Sequence, residues 1–455
     1  MFCYFKRTNI YIVRHHNPYI ILFFRKDKVE NVALLFSIGK LFLLFQKMNF
    51  KYAHLADLHL GSWKEDKMRD LSTKAFLTAI DRCISEKVDF ILFAGDIFNT
   101  SLPSIDTLKI VTKKLKELKD REIPVYTIAG SHDFSPSGKT MIDVLEHAGL
   151  LTNVCKGSIE PQTNSLRLNF IQDPKTSAKI TGILGRKGQL DKTYYQNLSQ
   201  ENLELEPGYK IFMFHTTISE MKPKHLENID SEPASFLPKG FNYYAGGHIH
   251  HPTKIELPDY ETLTYPGALF PNNFSEIEKY SHGGFYIISV DNEQQDVAWT
   301  PVEVIKHLPI VMDCAHQSPD AVTNQLSTHF GSLAVKDTLV TIRLTGTLSQ
   351  GRITDINFKE IFHFLYEQGA YWVMKNTSSL SSQEFEEIKI AETNPELVEE
   401  KVIREHLQQS TVFNKEKELN LIKTLLTGLN TTKKEGETST DFQRRIEEEM
   451  ERMVS

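Results

Sequence analysis

The sequence of 455 residues predicts a layered α/β fold that is followed by a small α/β unit and a helical tail. From Asn49 to about residue 300, short apolar strands alternate with amphipathic helices, as is typical of layered α/β domains. Several strands run directly into Asp or His side chains, and ligands of open α/β sheets gather at the carboxyl ends of strands. We therefore expect a functional site at one edge of the sheets.

Five apolar segments of the first domain read as strands that end where polar residues begin. They are "KYAHLA", "FILFAG", "PVYTIAG", "KIFMFH" and "YYAGGH". Helices are predicted over "STKAFLTAIDRCISEK" and "SIDTLKIVTKKLKELKD"; Ser104 and Asp106 near the start of the second, with lysines near its end, suit the helix dipole. The later strands "ETLTYPGALF" and "GGFYIISVD" would complete a domain over residues 48–300.

The pattern of strands and helices over residues 307–376 predicts a small second domain. Its strands are "LPIVMDC", "TLVTIRLTG" and "AYWVMK", and its helices are one that opens at "SPD" and one over "FKEIFHFLYEQG". The polar run "NTSSLSSQ", residues 376–383, predicts a linker to the tail.

In residues 384–455, apolar residues recur at helical spacing among many charges, which predicts a charged, helical tail with two apolar stripes. One stripe consists of Leu419, Ile422, Leu425, Leu426 and Leu429, and the other of Phe442, Ile446, Met450 and Met453. Two amphipathic helices with so little chain around them cannot bury both stripes internally. We expect them to dock on another protein; packing back on their own domain is the alternative.

Residues 1–47 differ from the rest because they are rich in Phe, basic and nearly free of acids. Their apolar run from Val32 to Phe45 is interrupted and falls short of the roughly 20 residues of a membrane span, and no small-residue cleavage site follows it. We expect an extension without a role in the function, the working protein beginning near Met48. A membrane or partner anchor is the alternative.

The charge and the cysteine content of the sequence limit the kinds of function that fit it. The formal charge of −7 gives no global basic character, so nucleic-acid binding would need local patches. The cysteines at 3, 83, 155 and 314 form no C-x-x-C pair, so neither a disulfide framework nor a thiolate zinc site is indicated. A reducing, cytoplasmic setting fits, and no membrane partner is expected.

Oxygen and imidazole ligands follow the five strands. They lie in "ADLHLG" (Asp57, His59), "AGDIF" (Asp96), "GSHD" (Ser131, His132, Asp133), "FHTT" (His215) and "GGHIHH" (His248, His250). In Asp-x-His and His-x-His, the period of two places both side chains on the same side of an extended segment. Carboxylates and imidazoles without thiolate suit Mn²⁺, Fe or Zn²⁺ in catalytic sites.

These ligands are too numerous for one ion and divide into two sets around a bridging carboxylate, for which Asp96 is the candidate. "GSHD" by itself also fits a serine nucleophile beside a histidine base. Beside the other motifs, it becomes part of a metal site in which water is the nucleophile.

The motifs "DLHLG", "GDIF", "GSHD", "FH" and "GHIH", in this order, resemble those of the calcineurin-like metallophosphoesterase superfamily. With "LADLHLG", "YPGA", the small second domain and the tail, the sequence is most similar to the SbcD-like nuclease subunit of the double-strand-break repair complex. The resemblance implies a β-sandwich flanked by helices, a small capping domain that binds DNA, and a helical tail that binds a partner.

The resemblance also implies roles for individual residues. The first ion would take Asp57, His59, Asp96 and His250, and the second Asp96, the residue at 131, His215 and His248. Both ions would be divalent, most characteristically Mn²⁺. His132 would stand over the scissile phosphate while Asp133 orients its ring.

Ser131 departs from the family pattern, which has Asn at this position. The Ser hydroxyl is shorter and a weaker neutral ligand, so it would ligate directly, hold a bridging water or leave the position open. Lys139, Arg186 and Lys187 are the candidate contacts to DNA phosphates; ordinary solvated surface is the alternative.

The resulting hypothesis is a metal-dependent DNA exonuclease or endonuclease for double-strand-break repair. It would work as a homodimer, with an SMC-like ABC ATPase bound to the C-terminal helices, in the cytoplasm with the nucleoid. The alternatives are a catalytically weak repair scaffold of the same fold and a phosphoesterase that acts on nucleotides.

Overall fold

The computed structural model describes residues 49–383 except 136–137, 187–189, 227–228 and 293. Towards the termini it describes residues 9–13, 20–24, 33–34, 419, 421–422 and 442–448. The chain divides into two compact units. The first comprises Met1–Met312, Gln325–Leu344 and Phe358–Thr377, and the second Asp313–Asn324, Thr345–Asn357 and Ser378–Ser455.

The N-terminal extension contributes an antiparallel three-stranded sheet of β1 (Asn9–Val13), β2 (Ile20–Phe24) and β3 (Ala33–Leu34). Within the described residues, no helix combines the length and the apolar character that a membrane crossing needs.

The main domain contains two six-stranded sheets. Its strands are β4 (Asn49–Leu55), β5 (Phe90–Ala94), β6 (Val125–Ile128), β7 (Thr152–Asn153), β8 (Gly157–Ile159), β9 (Leu166–Leu168), β10 (Ile171–Gln172), β11 (Lys179–Gly182), β12 (Lys210–His215), β13 (Tyr243–Gly247), β14 (Thr253–Leu257), β15 (Glu261–Tyr265), β16 (Gly283–Asp291) and β17 (Gln294–Val302). The first sheet has the order β17-β16-β4-β5-β6-β7, and the second β10-β11-β12-β13-β15-β14. Strands β8 and β9 form a separate hairpin.

Parallel pairing sets the position of the site. Strands β4, β5, β6 and β7 run parallel in the first sheet, as do β11, β12, β13 and β15 in the second. Every residue of β5, β6, β12 and β13 is buried, as expected for parallel strands that are covered on both faces. Their carboxyl ends therefore meet at common edges, which is where the sequence places the candidate ligands.

The helices of the main domain cover the two sheets. They are α1 (Asp66–Ser85), α2 (Ile105–Asp120), α3 (Met141–His147), α4 (Lys192–Gln196), α5 (Glu201–Glu204) and α6 (Phe274–Tyr280), with short 3₁₀ turns at Ser219–Met221, Lys224–Leu226 and Ala234–Phe236. Helix α1 begins at Asp66, before the predicted start at Ser72, because Met68 extends its buried stripe. Helix α2 begins as predicted, since the Ser104 hydroxyl accepts the Thr107 N–H at 3.2 Å.

Three apolar clusters bind the layers together. The central one joins the facing sides of the two sheets, with Tyr52 and Phe90 from the first and Met213 and Tyr243 from the second. The second cluster lies between the first sheet and helices α1 to α3, and the third lies on the outer face of the second sheet with α4 and α5. The predicted fold class, a β-sandwich flanked by helices, is confirmed.

The C-terminal region has the predicted order of elements. It contains β18 (Lys306–Asp313), α7 (Pro319–Gly331), β19 (Thr338–Leu348), a 3₁₀ turn at Ile353–Asp355, α8 (Phe358–Glu367) and β20 (Trp372–Ser382), and the strands form a sheet in the order β18-β19-β20. The predicted linker over residues 376–383 is wrong for most of its length, because β20 continues to Ser382. Its Ser and Thr side chains suit a strand: Leu380 and Ser382 are buried, and Ser381 hydrogen-bonds Thr347 at 2.8 Å. The predicted stripes of the tail lie mostly outside the described residues.

Candidate metal centre

The two sheets deliver their polar side chains to one place. Asp57 and His59 follow β4, Asp96 follows β5, and Ser131 to Asp133 follow β6, whereas His215 ends β12 and His248 follows β13. The parallel register of β12 and β13 pairs His215 with Gly247, which fixes His248 beside it. The first sheet thus supplies both central carboxylates, and the second supplies three of the histidines.

The backbone leaves the strands in an unusual conformation. Asp57, His59, Asp96 and His248 have φ values of 49°, 41°, 51° and 89°, in the left-handed region that L-residues rarely adopt. Gly130 allows the close approach of two strand ends, because a Cβ there would lie 2.3 Å from an Asp96 carboxylate oxygen. Strained residues of this kind cluster at functional sites, where the surrounding fold must hold them.

Asp96 lies at the centre of the cluster. Its Oδ2 atom is 3.2 Å from His215 Nε2 and 3.6 Å from His59 Nε2. Its Oδ1 atom accepts the backbone N–H of His132 at 2.7 Å, and Ser131 Oγ donates to Oδ2 at 3.4 Å. A carboxylate with imidazoles from both sheets around it has the position expected of a bridge.

Asp57 forms the second centre of contacts. Its Oδ1 atom is 4.0 Å from His59 Nε2, 3.9 Å from His215 Nε2 and 4.0 Å from His250 Nε2. Both of its oxygens accept the backbone N–H of His248, at 2.9 and 3.0 Å. The nitrogens of His59 and His250 that face this carboxylate are 3.1 Å apart.

Burial and charge act strongly on these groups. Burial raises the pKa of Asp57 to about 6, although the charges of His215 and His250 oppose the shift. Burial alone would raise the pKa of Asp96 and lower the pKa of His215. Their mutual attraction outweighs burial, so the pKa of Asp96 falls well below its usual value and that of His215 rises to about 10.

The donor set fits divalent cations. Three groups of side chains place their ligand atoms within 4.8 Å of one another: Asp57 with His59 and His250, His59 with Asp96 and His132, and Asp57 with Asp96 and His215. The Nε2 atom of His215 is buried without a hydrogen-bond partner although two carboxylates are near. Two imidazole nitrogens at 3.1 Å likewise need a proton or a cation between them. Ions coordinated by carboxylate and imidazole satisfy all of these atoms.

Comparison with known proteins agrees with this chemistry. The family model described as calcineurin-like phosphoesterase matches residues 50–252. This stretch contains every candidate ligand. Residues 50–252 are therefore similar to calcineurin-like phosphoesterases.

The chain is also similar to curated proteins named DNA double-strand break repair protein Mre11. The protein from Archaeoglobus fulgidus is 29% identical over 50% of this chain and 52% of its own length. Those from Methanococcus maripaludis and Sulfolobus acidocaldarius are each 27% identical, over 52% and 65% of this chain and 62% and 75% of their own lengths. The chain thus spans about half to three quarters of the relatives it matches. A solved dimetal phosphatase from Danio rerio is 12% identical over 56% of this chain and 96% of its own length, with a TM-score of 0.35.

The structure brings most of the predicted site residues of the phosphoesterase domain together. His248 lies beside the cluster rather than within it: its side chain is exposed, and its ring centre is 5.3 Å from that of His215. Ser131 is buried and points at Asp96.

The orientation predicted for His132 needs a correction. The ring nitrogen Nδ1 of His132 contacts the backbone carbonyl of Asn99 at 2.8 Å, and not the Asp133 carboxylate. Asp133 instead accepts the backbone N–H groups of Gly130 at 2.9 Å and Phe98 at 3.2 Å. Burial raises the pKa of Asp133 to about 7. The carboxylate therefore ties two strand ends together, while a carbonyl holds the imidazole.

The candidate DNA contacts differ from one another. Lys139 is exposed, whereas Arg186 is half-buried, with its guanidinium 5.3 Å above the Phe134 ring and within 3.3 Å of the Tyr194 hydroxyl. Lys187 lies outside the described residues.

Sequence reasoning missed the groups behind the ligands. The Ala94 carbonyl contacts His215 Nδ1 at 2.8 Å, and the Glu276 carboxylate contacts His250 Nδ1 at 3.0 Å. Backbone carbonyls have no sequence signal. Glu276 does have one, since "NFSE" reads as an N-cap Asn followed by Glu three residues later, but nothing local connects it to His250.

Proposed function

We propose that this protein is a two-metal phosphodiesterase that hydrolyses DNA, as an exonuclease or endonuclease, in double-strand-break repair. The observation that carries the proposal is the convergence of Asp57, Asp96 and His215 from two sheets on one buried point. The similarity to Mre11 proteins supports DNA as the substrate. Residues 48–300 would form the nuclease domain and residues 307–376 a DNA-binding cap.

Two divalent ions, for which we propose Mn²⁺, would occupy the centre. One would be held by Asp57, His59, Asp96 and His250, and the other by Asp96, Ser131, His215 and His248. When bound, such a pair supplies an activated water near neutral pH and neutralises phosphate charge. The side chains keep their positions through the Ala94 and Glu276 contacts to His215 and His250.

His132 would assist the departing oxygen. In the tautomer in which Nδ1–H donates to the Asn99 carbonyl, the opposite edge of the ring faces the cluster, where its ring centre is 4.8 Å from that of His59. A doubly protonated His132 can pass the proton of Nε2 to the leaving oxygen while Nδ1–H stays in place. General-acid assistance of this kind contributes typically about 10²- to 10⁴-fold in rate.

Lys139, Arg186 and Lys187 would bind DNA phosphates. The stacking of Arg186 on Phe134, two residues after His132, supports its place at the rim of the site. Such contacts position the duplex without reading its sequence. Replacement of Arg186 by Ala should therefore weaken binding of different DNA sequences about equally.

We also propose a homodimer through helices α2 and α3. Leu102, just before helix α2, Ile105 on α2 and Val144 on α3 have 76%, 83% and 57% of their surface exposed, which is unusual for large apolar side chains. Light scattering should give a dimer for the wild type and a monomer for an Ile105→Asp, Val144→Asp double variant. A wild-type monomer would contradict this arrangement.

The C-terminal helices would bind an SMC-like ABC ATPase, and the protein would work in the cytoplasm with the nucleoid. The two apolar stripes of residues 384–455 support a docking role. Co-purification of the full chain and of a chain that ends at residue 383 with candidate ATPases tests the site. Association that survives the deletion would rule out the tail as the partner site.

Ser131 favours a second candidate, a DNA-repair scaffold of the same fold with weak catalysis. The Ser131 hydroxyl already donates its proton to Asp96. Its oxygen can therefore offer a metal ion only a weak, neutral ligand. Cleavage of linear and plasmid DNA in Mn²⁺, beside hydrolysis of p-nitrophenyl phosphoesters, separates the candidates. DNA cleavage supports the nuclease, hydrolysis of the small ester alone supports a phosphoesterase on nucleotides, and absence of both supports the scaffold.

A further inference from the structure

Glu276 lies on the first turn of helix α6, behind the metal-ligand candidate His250. Its side chain is 17% exposed, and its Oε1 atom is 3.0 Å from His250 Nδ1. The helix comes from the segment after the last ligand motif and supplies no candidate ligand of its own. Glu276 is therefore placed to act on the ligand from behind.

Two further hydrogen bonds fix the Glu276 carboxylate. Oε2 accepts the Asn272 backbone N–H at 2.8 Å, and Oε1 accepts the Asn273 side-chain amide at 2.7 Å. Asn273 also caps the helix by accepting the Glu276 backbone N–H at 3.0 Å. Both oxygens are thus occupied, and the carboxylate cannot turn away from His250 without losing these partners.

This geometry determines which nitrogen of His250 stays free. A carboxylate facing Nδ1 keeps a proton on that nitrogen, so the lone pair of the neutral ring lies on Nε2. Nε2 is the atom that faces Asp57 at 4.0 Å and His59 at 3.1 Å. A carboxylate behind a ligating imidazole fixes the tautomer and ring orientation and raises the basicity of the ligand.

We propose that Glu276 is the positioning residue that holds His250 in the orientation and tautomer needed to bind a divalent cation. The proposal rests on the proposed function, because it assigns His250 to a metal. Its competitor is a purely structural role, in which Glu276 only caps helix α6.

Glu278 provides a matched control. It lies on the same helix two residues later and forms an ion pair with Arg343, whose Nη2 atom is 2.6 Å from Glu278 Oε2. The structure records no contact between Glu278 and a candidate ligand among the described residues. Loss of Glu278 should therefore disturb the helix without reaching His250.

Calorimetric titration of the full chain with Mn²⁺ tests the proposal. We expect Glu276→Ala to weaken one Mn²⁺ site by about 10- to 100-fold, Glu276→Gln to weaken it less, and Glu278→Ala to change it by less than about twofold. The isosteric Glu276→Gln variant keeps the test valid if the alanine variant does not fold. In long-range ¹H–¹⁵N spectra of the metal-free protein, the Nδ1–H signal of His250 should be lost in Glu276→Ala alone.

Three outcomes would overturn the proposal. Unchanged Mn²⁺ affinity in both Glu276 variants, beside a wild type that binds the ion, would reject the role of Glu276 and leave the proposed function intact. Equal weakening by Glu278→Ala would reduce Glu276 to a helix cap. A wild type that binds no Mn²⁺ would reject the proposed function, and the role of Glu276 with it.

Discussion

Polar side chains are buried both in the interior of the sandwich and at the edge where strands β4, β5, β6, β12 and β13 end, which we call the strand-end edge. The two regions differ in whether these side chains find hydrogen-bond partners. In the interior, the Tyr52 hydroxyl bonds that of Tyr209 at 2.9 Å, and Tyr209 donates to Gln295 at 2.8 Å. Each hydroxyl finds a partner, as buried polar groups normally do. At the edge, the buried Nε2 atom of His215 has no hydrogen-bond partner, and carboxylates and imidazoles crowd at 3.1 to 4.0 Å.

The difference separates polar groups that stabilise the fold from those that are held for a ligand. The Tyr52, Tyr209 and Gln295 side chains complete one another, and Tyr52 and Gln295 lie on the regular strands β4 and β17. Edge groups sit on left-handed backbone at Asp57, His59 and Asp96, and their unsatisfied atoms converge. Changes at the edge should therefore cost activity, and changes in the interior should cost stability.

The largest effect is expected for Asp96→Asn. This change preserves shape but removes the negative charge that four neighbouring groups share. If the protein cleaves DNA with Mn²⁺ as proposed, loss of several kcal/mol of metal and transition-state stabilisation should lower the cleavage rate by about 10³-fold or more. Circular dichroism should confirm the fold; activity within tenfold of the wild type would remove Asp96 from the centre of the site.

His132→Ala should lower the cleavage rate by about 10²- to 10⁴-fold but leave Mn²⁺ binding unchanged, because we propose that the ring acts on the leaving oxygen. The variant Asp133→Asn distinguishes the role of Asp133 from that of His132. Since Asp133 ties strand ends rather than His132, this variant should lose stability before it loses turnover. Parallel cleavage assays and calorimetric titrations check both; lost Mn²⁺ binding in His132→Ala would contradict the assignment.

His54, in the interior, should make stability depend on pH. Burial lowers its pKa to about 3, and its Nδ1 atom contacts the Tyr243 hydroxyl at 3.0 Å. Because the unfolded chain takes up the proton near pH 6.5, the stabilising contribution is complete above that pH and is lost as the pH falls toward 3. The loss is at most about 1.4 kcal/mol per pH unit.

Urea unfolding of the wild type and His54→Gln from pH 7 to 4.5 measures this contribution. The variant should lose less free energy of unfolding over this interval than the wild type. Identical slopes would show that His54 does not titrate with unfolding.

The smallest effect is expected for Tyr52→Phe. The variant removes one hydroxyl, while Tyr209 keeps Gln295 as its acceptor. Unfolding should become easier by about 1 kcal/mol, with DNA cleavage unchanged. A large fall in activity at unchanged stability would break the distinction between interior and edge.

Features that depend on residues adjacent in the chain can be predicted from the sequence, whereas contacts between residues far apart in the chain cannot. The strands with Asp57, Asp96 and His215 at or just beyond their ends were predictable, because an apolar run and the polar residue that follows it are adjacent in the chain. The sequence predicts that strand β20 ends at Lys375 rather than Ser382, because its Ser and Thr residues resemble a linker until their pairing is known. Glu276 and the Asn99 carbonyl escaped prediction, since their partners lie 26 and 33 residues away.

We propose that the strand-end edge is a two-metal centre. Calorimetric titration of the purified wild-type chain with Mn²⁺ tests it most directly, because it counts ions without requiring a substrate. We expect two Mn²⁺ ions per chain, with the second lost or strongly weakened in Asp96→Asn. A single ion, no binding, or two ions that bind Asp96→Asn as tightly as the wild type would contradict it.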